Sequence, residues 1–444
     1  MKLAIIGAGW AGLAAAVTDT QAGHQVSIFE ATHAIGGRAR AVNSTLPDGR
    51  PVTLDNGQHI LIGAYTETLR LMRLVGVNPS TALLQLPMTL LFPDGRGVRF
   101  PAWPTPLDAL GGIVRARGWS LRDKASVLRA ATGWQLAGFR CDAHQCVAQL
   151  CHALRPRVMT ELIEPLCVSA LNTPAARASA SVFLRVMQDA LFGVQGGSKL
   201  LLPRLDLSQL LPDAAAHWLT QHGAQLHLGA RIDAVEAQGA RWRLHGGPAP
   251  DAWFDAVIFA TSASESARAL AATAQAAPDS VAIDIERWTQ ICQALQFEAI
   301  ATVYTWGAGA SLPEPMLTLR SHAQAPAQFV FDRAQLGGPS GLLAFVVSAS
   351  SADRGTLQAQ VLQQATQQLG LQLQAVQTIV EKRATFACTP ALQRPALCIA
   401  PGLFACGDYV AGPYPATLEG AVRSGMAAAQ AAVLAGAADP ACPL

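Results

Sequence analysis

The chain has 444 residues, of which 51% are apolar and only 14% charged, with a mean hydropathy of +0.26 and a formal net charge of +2. That length corresponds to roughly two or three domains. The balanced charge, with no basic run that could track a phosphate backbone, excludes nucleic acid as a partner. A membrane span needs about 20 consecutive apolar residues, and the best stretch, Ala421 to Ala438, is broken by Arg423, Ser424, Gly425 and Gln430.

Lys2 to Ile6 is a short apolar run of the kind that forms a buried parallel strand. Gly7-Ala8-Gly9-Trp10-Ala11-Gly12 follows, then a helix from Leu13 to Ala22 closed by Gly23, then a second strand from His24 to Phe29 that delivers Glu30 and Ala31. Lys2 and the apolar residues after it could mimic a secretory leader. The glycines interrupt that stretch and no small-residue cleavage site follows, so the N-terminus is read as part of the fold. Gly7 lets the chain turn off the strand. Gly9 removes a side chain so that backbone N–H groups, including those of Trp10 and Ala11, approach a pyrophosphate. Gly12 lets the helix pack on the sheet, and the helix N-terminus presents its dipole to the phosphates. Glu30 can accept hydrogen bonds from ribose hydroxyls, and an acid there disfavours a 2′-phosphate, so NADP is not expected in this site.

Ile35-Gly36-Gly37-Arg38 comes next. Gly36 and Gly37 permit close backbone approach, and Arg38 can place charge beside a pyrophosphate. A Gly-Gly-Arg at this place resembles the extended flavin fingerprint of the amine oxidase and phytoene desaturase superfamily, which implies FAD rather than NAD. By the same resemblance Asn56, Gly57, Gln58 and His59, in Leu54 to Tyr65, lie against the isoalloxazine. The stretch from Arg122 to Gln195 reads as helical. An amphipathic run, Leu210 to His222, leads to a strand from Leu226 to Ala237, and the resemblance assigns Ile232 in its middle a backbone contact with adenine. Phe254 to Thr261 reads as a central parallel strand. Strand-like runs at Gln293 to Tyr304 and Gly341 to Ser348 precede a helix from Thr356 to Leu369. Finally, Gly402 to Asp408 is a strand running into Gly407-Asp408, and Glu419-Gly420-Ala421 opens an Ala-rich helix. In the superfamily the Asp of such a pair accepts hydrogen bonds from the ribityl chain, and the helix aims its N-terminus at the pyrimidine end of the flavin.

These pieces define the expected fold class: α/β, with a discontinuous FAD/NAD(P)-binding Rossmann-like domain built from 1–70, 204–265 and 385–444. A second, mixed-sheet plus helical substrate domain is built from 71–203 and 266–384. Nine cysteines are scattered without a CxxC pair. The spacing of Cys141, Cys146 and Cys151, with His144 and His152 nearby, does not converge on one point, so no metal is expected. The cysteines are read as reduced thiols of a cytoplasmic protein.

"NGQHILIGAY" at 56–65, "LLFPDG" at 90–95, "FPAWPTPLDAL" at 100–110 and the C-terminal "GDY…PATLEGAV" closely resemble the squalene-associated FAD-dependent desaturase family, the hydroxysqualene dehydroxylases of bacterial hopanoid biosynthesis. The resemblance runs along most of the chain. It implies noncovalent FAD, a long apolar isoprenoid substrate, a separate electron donor and reductive loss of a hydroxyl. His59 and Tyr414 are the candidate proton donors, with a structural hydrogen-bonding role the alternative for His59. The low charge fits a greasy cavity and ordinary cores equally well, and a lipid substrate suggests peripheral docking on the cytoplasmic membrane face. Two other readings stay open: a desaturase or oxidase of a carotenoid precursor or amine, and a non-catalytic FAD-fold protein that binds a prenyl lipid. Cys406 precedes the Gly-Asp pair but lies too close to it for the usual flavin tether.

Overall fold

The computed structural model describes residues 1–247, 252–350 and 352–437. The end of the expected segment 385–444, with Ala438, and part of 204–265 therefore lie outside the described residues.

The chain's first strand, Lys2–Ile6, sits inside a six-stranded sheet. On one side it pairs in parallel with Gln25–Glu30, which pairs with Gln225–Leu228. On the other it pairs in parallel with Ala256–Phe259, followed by Leu403–Ala405 and an antiparallel edge strand, Cys398–Ala400. The continuous apolar runs at 3–6 and 256–259 are what a strand covered on both faces requires. Successive connections leave Lys2–Ile6 in opposite directions, so a crevice opens at its C-terminal end, and the glycine-rich turn occupies that switch point. Helix Trp10–Gln21 packs against helix Leu418–Ala437, joining the two ends of the chain in one core. No helix among the described residues is long and apolar enough to cross a membrane.

A five-stranded antiparallel sheet forms the second layer, in the order Met316–Thr318, Phe329–Asp332, Leu342–Ser348, Phe297–Trp306, Gln374–Phe386. Its alternating residues divide between two cores. Ala301, Val303, Leu343 and Phe345 pack under helix Arg354–Leu369, while Tyr304, Phe329, Phe331 and Val346 face the main core. A small sheet ties the layers, with Leu200–Pro203 pairing both Leu61–Ile62 and Leu83–Leu86.

Three local expectations are corrected. The run 226–237 is two strands of different sheets, Gln225–Leu228 and Ala234–Gln238, because Gly229 turns the chain with φ +67°. Ile232 lies in the connection. The run 122–195 is a series of helices, the longest Leu121–Leu136 with a Ser120/Asp123 capping box, and two π-helical turns at Met159–Ile163 and Asp189–Gly193. Pro156 sits in the first turn of its helix, where a missing N–H costs nothing, whereas Pro165 follows directly on the π-helical turn Met159–Ile163 inside continuously helical backbone. The run 293–304 begins as the end of helix Asp279–Ala294 and becomes strand only at Phe297. Among the described residues seven cysteines are free thiols and Cys398 is disulfide-bonded, which corrects the all-thiol expectation; Cys442 lies outside the described residues.

Asp19, on the first helix, is 1% exposed and neither carboxylate oxygen has a hydrogen-bond partner. Burial pushes its pKa up to about 7, against an opposing pull from the N-terminal ammonium. The fold thus favours the neutral acid, so the stability this group contributes is complete below its unfolded value and lost as pH rises through about 7. Asp19→Asn is expected to remove roughly 3–4 kcal/mol of pH dependence between pH 4 and 8 and to be the more stable chain at pH 8. Urea unfolding of both chains across that range checks this; parallel pH profiles would contradict it.

Candidate active site

The cradle at the switch point is built by backbone. Gly7 takes φ +110° where the chain leaves the first strand, and a Cβ on Gly12 would lie 2.0 Å from the Gly7 carbonyl oxygen. No side chain caps the first turn of helix Trp10–Gln21, so its orphan N–H groups stay available to an anion. A Cβ on Gly9 would meet nothing nearer than the Gly37 Cα at 4.0 Å, leaving space above those amides. Gly36 donates its N–H to the Ala8 carbonyl at 2.9 Å, which brings the Gly-Gly turn beside the first glycine loop. Trp10 and Ala11 are buried, and the Trp10 indole donates to the Ala39 carbonyl, so any contribution they make to a ligand is through backbone. Glu30 accepts from Ala8 N at 2.9 Å and from the backbone and hydroxyl of Thr32, while Ala31 is exposed at the strand end. The unclaimed first-turn amides, the open space and the acid at the next strand end fit a dinucleotide. The Ile232 carbonyl accepts from Arg268 at 3.4 Å.

Arg38 and Asp408, 370 residues apart, meet in an ion pair of 2.6 Å. Arg38 also donates to the Ala384 and Arg383 carbonyls. The Asp408 carboxylate foremost holds the guanidinium pKa above its usual range. The charge expected beside a pyrophosphate is therefore anchored to the Gly-Asp turn, whose Gly407 N–H donates to the Ser424 hydroxyl at 3.1 Å.

The Asn56–His59 segment is fixed on both sides. Asn56 donates its backbone N–H to the Arg40 carbonyl and its amide to the Arg38 carbonyl. Gln58 accepts at 3.2 Å from Arg333, a buried cation whose guanidinium lies 3.7 Å from the Asp55 carboxylate. Burial raises the Asp55 pKa to about 6 despite Arg333. No local motif marks Arg333, which is 275 residues from Gln58; only the packing of the second sheet brings them together. The His59 Nδ1 lies 2.8 Å from the Gly57 carbonyl oxygen, and burial, outweighing that contact, pushes the ring pKa down. A neutral ring donating from Nδ1 has no second proton to give, which speaks against the general-acid role expected of it.

Glu419 also departs from expectation. Its carboxylate is fully buried and accepts from the backbone N–H groups of Glu67 and Thr68, the Thr68 hydroxyl and Arg423 Nε. It thus caps helix Thr66–Leu74 instead of facing a ligand. Gly420 lies beside the Tyr414 turn and donates to the Thr417 hydroxyl, and the N–H of Ala421 bonds the Thr417 carbonyl. The buried Cys406 thiol has its pKa pushed well up by burial, which makes it a poor nucleophile.

Between these turns and the helical region lies a cavity of about 400 Å³. Ile60, Ile62, Tyr65, Tyr414 and Thr417 line one end; Leu166, Ala170 and Phe183 line the helical side; Met316 and Phe329 come from the second sheet. Its lining holds no Asp, Glu, Lys or Arg among the described residues. Tyr414, with φ +57°, places its ring edge-on to Tyr65 at 6.1 Å between centroids. Burial, then the nearby Asp189, raises the Tyr414 phenol to about 12, and burial raises Tyr65 further. Tyr65 lies in the Asn56–Tyr65 motif, yet its place in the site follows only from its facing Tyr414. His59 is not in the lining. No cluster among the described residues could hold a metal.

The family model for flavin-containing amine oxidoreductases matches residues 10–433. The chain is 26% identical to the hydroxysqualene dehydroxylase of Sinorhizobium fredii over 465 aligned residues, covering 97% of each chain. It is 26% identical to the protein of the same name from Zymomonas mobilis over 243 residues, which span 53% of this chain and 55% of that one. The crystal structure of an oxidoreductase from Methanosarcina mazei superposes with a TM-score of 0.69 over 97% of this chain and 100% of that one, at 16% identity, a likeness of fold alone. With a glycine cradle at the switch point, a Gly-Asp turn locked to it and a matching family model along nearly its whole length, the chain belongs to the flavin-containing amine oxidoreductase family and is a flavin-dependent oxidoreductase.

Proposed function

We propose that this protein binds FAD noncovalently through segments 1–70, 204–265 and 385–444 and reductively removes the hydroxyl of hydroxysqualene to give squalene and water. The observation that carries this reading is the cavity, lined almost wholly by apolar side chains, with the edge-on rings of Tyr65 and Tyr414 at the end nearest the flavin-family turns. An apolar wall suits a long hydrocarbon, and an amine substrate would find no carboxylate in that lining. When bound, reduced FAD supplies a hydride to the carbon that loses its hydroxyl, and the oxygen takes one proton and leaves as water. Tyr65 and Tyr414 stay protonated at neutral pH; Tyr414 is bonded to Asp189, so Tyr65 is the phenol whose O–H is left to donate to that oxygen. The Arg333–Gln58 and Asn56–Arg38 bonds hold the facing segment rigid, which favours a fixed approach of carbon to flavin.

The test is anaerobic incubation of the yellow protein, chemically reduced, with hydroxysqualene, following products by gas chromatography with mass detection. Squalene formed in step with flavin reoxidation supports the assignment; a desaturated product or none overturns it. Acid precipitation should release the flavin, identified as FAD by mass. Ala170→Trp, which fills the cavity on its helical side, is expected to lower kcat/KM by about two orders of magnitude while leaving the flavin spectrum unchanged; steady-state kinetics and absorbance check both.

A further inference from the structure

We propose that the ridge formed by Trp103, helix Leu107–Val114 and helix Leu121–Leu136 seats this protein on the surface of an anionic lipid bilayer, with the cavity mouth turned toward the lipid. The inference rests on the isoprenoid substrate proposed above, because a hydrocarbon of that kind resides in membrane.

Six of the ten large hydrophobic side chains exposed among the described residues fall between positions 103 and 136: Trp103, Leu107, Leu110, Val114, Leu121 and Leu136. Such a concentration differs from the single scattered residues of an ordinary surface. Leu107, Leu110 and Val114 follow i, i+3, i+7 spacing, so they share one face of their helix, and they are 53%, 47% and 53% exposed. Leu107 and Leu110 also line the cavity, so the exposed stripe runs directly into its mouth. Leu121, 84% exposed, shares the face of the second helix that carries Leu128, Thr132 and Gln135 into the cavity lining, and Leu136, 85% exposed, stands at the other end of that helix. The patch therefore borders the cavity, which it meets at Leu107 and Leu110.

The charge around it is one-sided. Between positions 103 and 140 stand Arg115, Arg117, Arg122, Lys124, Arg129 and Arg140 against only Asp108 and Asp123, a local balance of +4 in a chain whose total is +2. Both carboxylates are buried, Asp108 bonded to Ser198 and Asp123 to Ser120 with Arg155 alongside, so the charges presented at the surface of this stretch are its cations. Arg115 stacks over Trp103 at 4.6 Å, an amphipathic pair suited to the headgroup level. Apolar side chains that can enter the acyl boundary, ringed by cations that attract anionic headgroups, are the two elements of interfacial binding.

The flavin-loaded full chain, co-sedimented with phosphatidylcholine vesicles and with vesicles that also contain phosphatidylglycerol, is expected to bind the anionic set and to leave it as salt rises. Val114→Asp/Leu121→Asp/Leu136→Asp, none of which lines the cavity, is expected to weaken vesicle binding by roughly tenfold or more. Its melting and its turnover of detergent-dispersed substrate should be unchanged. A wild-type chain that ignores anionic vesicles, or a triple variant that binds them equally well, overturns the proposal. So does a lipid-free dimer in sedimentation velocity that the triple variant abolishes, which would make the ridge an interface between two copies. Vesicle binding that depends on the ridge in a protein unable to form squalene supports docking and removes only the dehydroxylase reading.

Discussion

A Gly9→Val chain should fold and yet leave purification colourless. The free protein has room for the side chain, since the nearest atom to a Cβ at this position is the Gly37 Cα at 4.0 Å. That room lies over the amides that open helix Trp10–Gln21, where a pyrophosphate must come close. Hydrogen bonds to a charged oxygen contribute about 1.5–3 kcal/mol each. Displacing the phosphates from even two amides therefore lowers flavin affinity by roughly a hundredfold or more. Melting of the flavin-free protein should match that of flavin-stripped wild type, and flavin content by absorbance should fall to background. Gly12→Val is the control with the opposite origin. Its Cβ would collide with the Gly7 carbonyl and sit 3.0 Å from Ala260, so it is expected to lose the fold along with the flavin. A yellow Gly9→Val protein would remove the glycine loop from the proposed cofactor site.

Glu419→Ala is expected to cost about 3 kcal/mol of stability. The carboxylate is fully buried and receives four hydrogen bonds, at 3.1 Å from Glu67 N, 2.9 Å from Thr68 N, 2.7 Å from Thr68 Oγ1 and 2.6 Å from Arg423 Nε. Truncation leaves the first turn of helix Thr66–Leu74 and a buried hydroxyl unpaired, and removes the ion-pair partner of the Arg423 guanidinium, which keeps its bond to the Thr66 hydroxyl and lies over the Tyr414 ring at 5.1 Å. Glu419→Gln retains an acceptor and should cost about half as much. Urea unfolding with the m-value held constant measures both. Flavin lost at unchanged stability would instead return Glu419 to direct contact with the cofactor.

The contrast between Gly9 and Glu419 marks how far local pattern reached. The turn that holds Gly9 was legible because a turn between a strand and a helix is set by residues adjacent in sequence. The side chain of Glu419 was not, because the start of its helix was legible while the direction of its side chain depended on helix Thr66–Leu74, whose Thr68 lies 351 residues earlier. The same holds for Ile232. The strand before it was legible, but the turn at Gly229 that removes it from the strand needed the glycine's actual φ. In His59 the residue type suited proton transfer, whereas burial and the Gly57 carbonyl decided its protonation.

By itself, the sequence determined the α/β class, the glycine-rich turn with its acid at the next strand end, the Gly-Asp turn and the family resemblance. All of these rest on backbone conformation and spacing over a few tens of residues, where glycine, apolar runs and helix ends leave a local signature. Tertiary structure alone decided that Arg38 reaches Asp408, that Arg333 holds Gln58, that Tyr65 and Tyr414 face each other, and that the Leu107 and Leu121 helices leave their apolar faces open at a cavity mouth. Each of these joins side chains on elements far apart in the chain, and whether an apolar face is covered or a charge is paired depends on what packs against it, which no local spacing records.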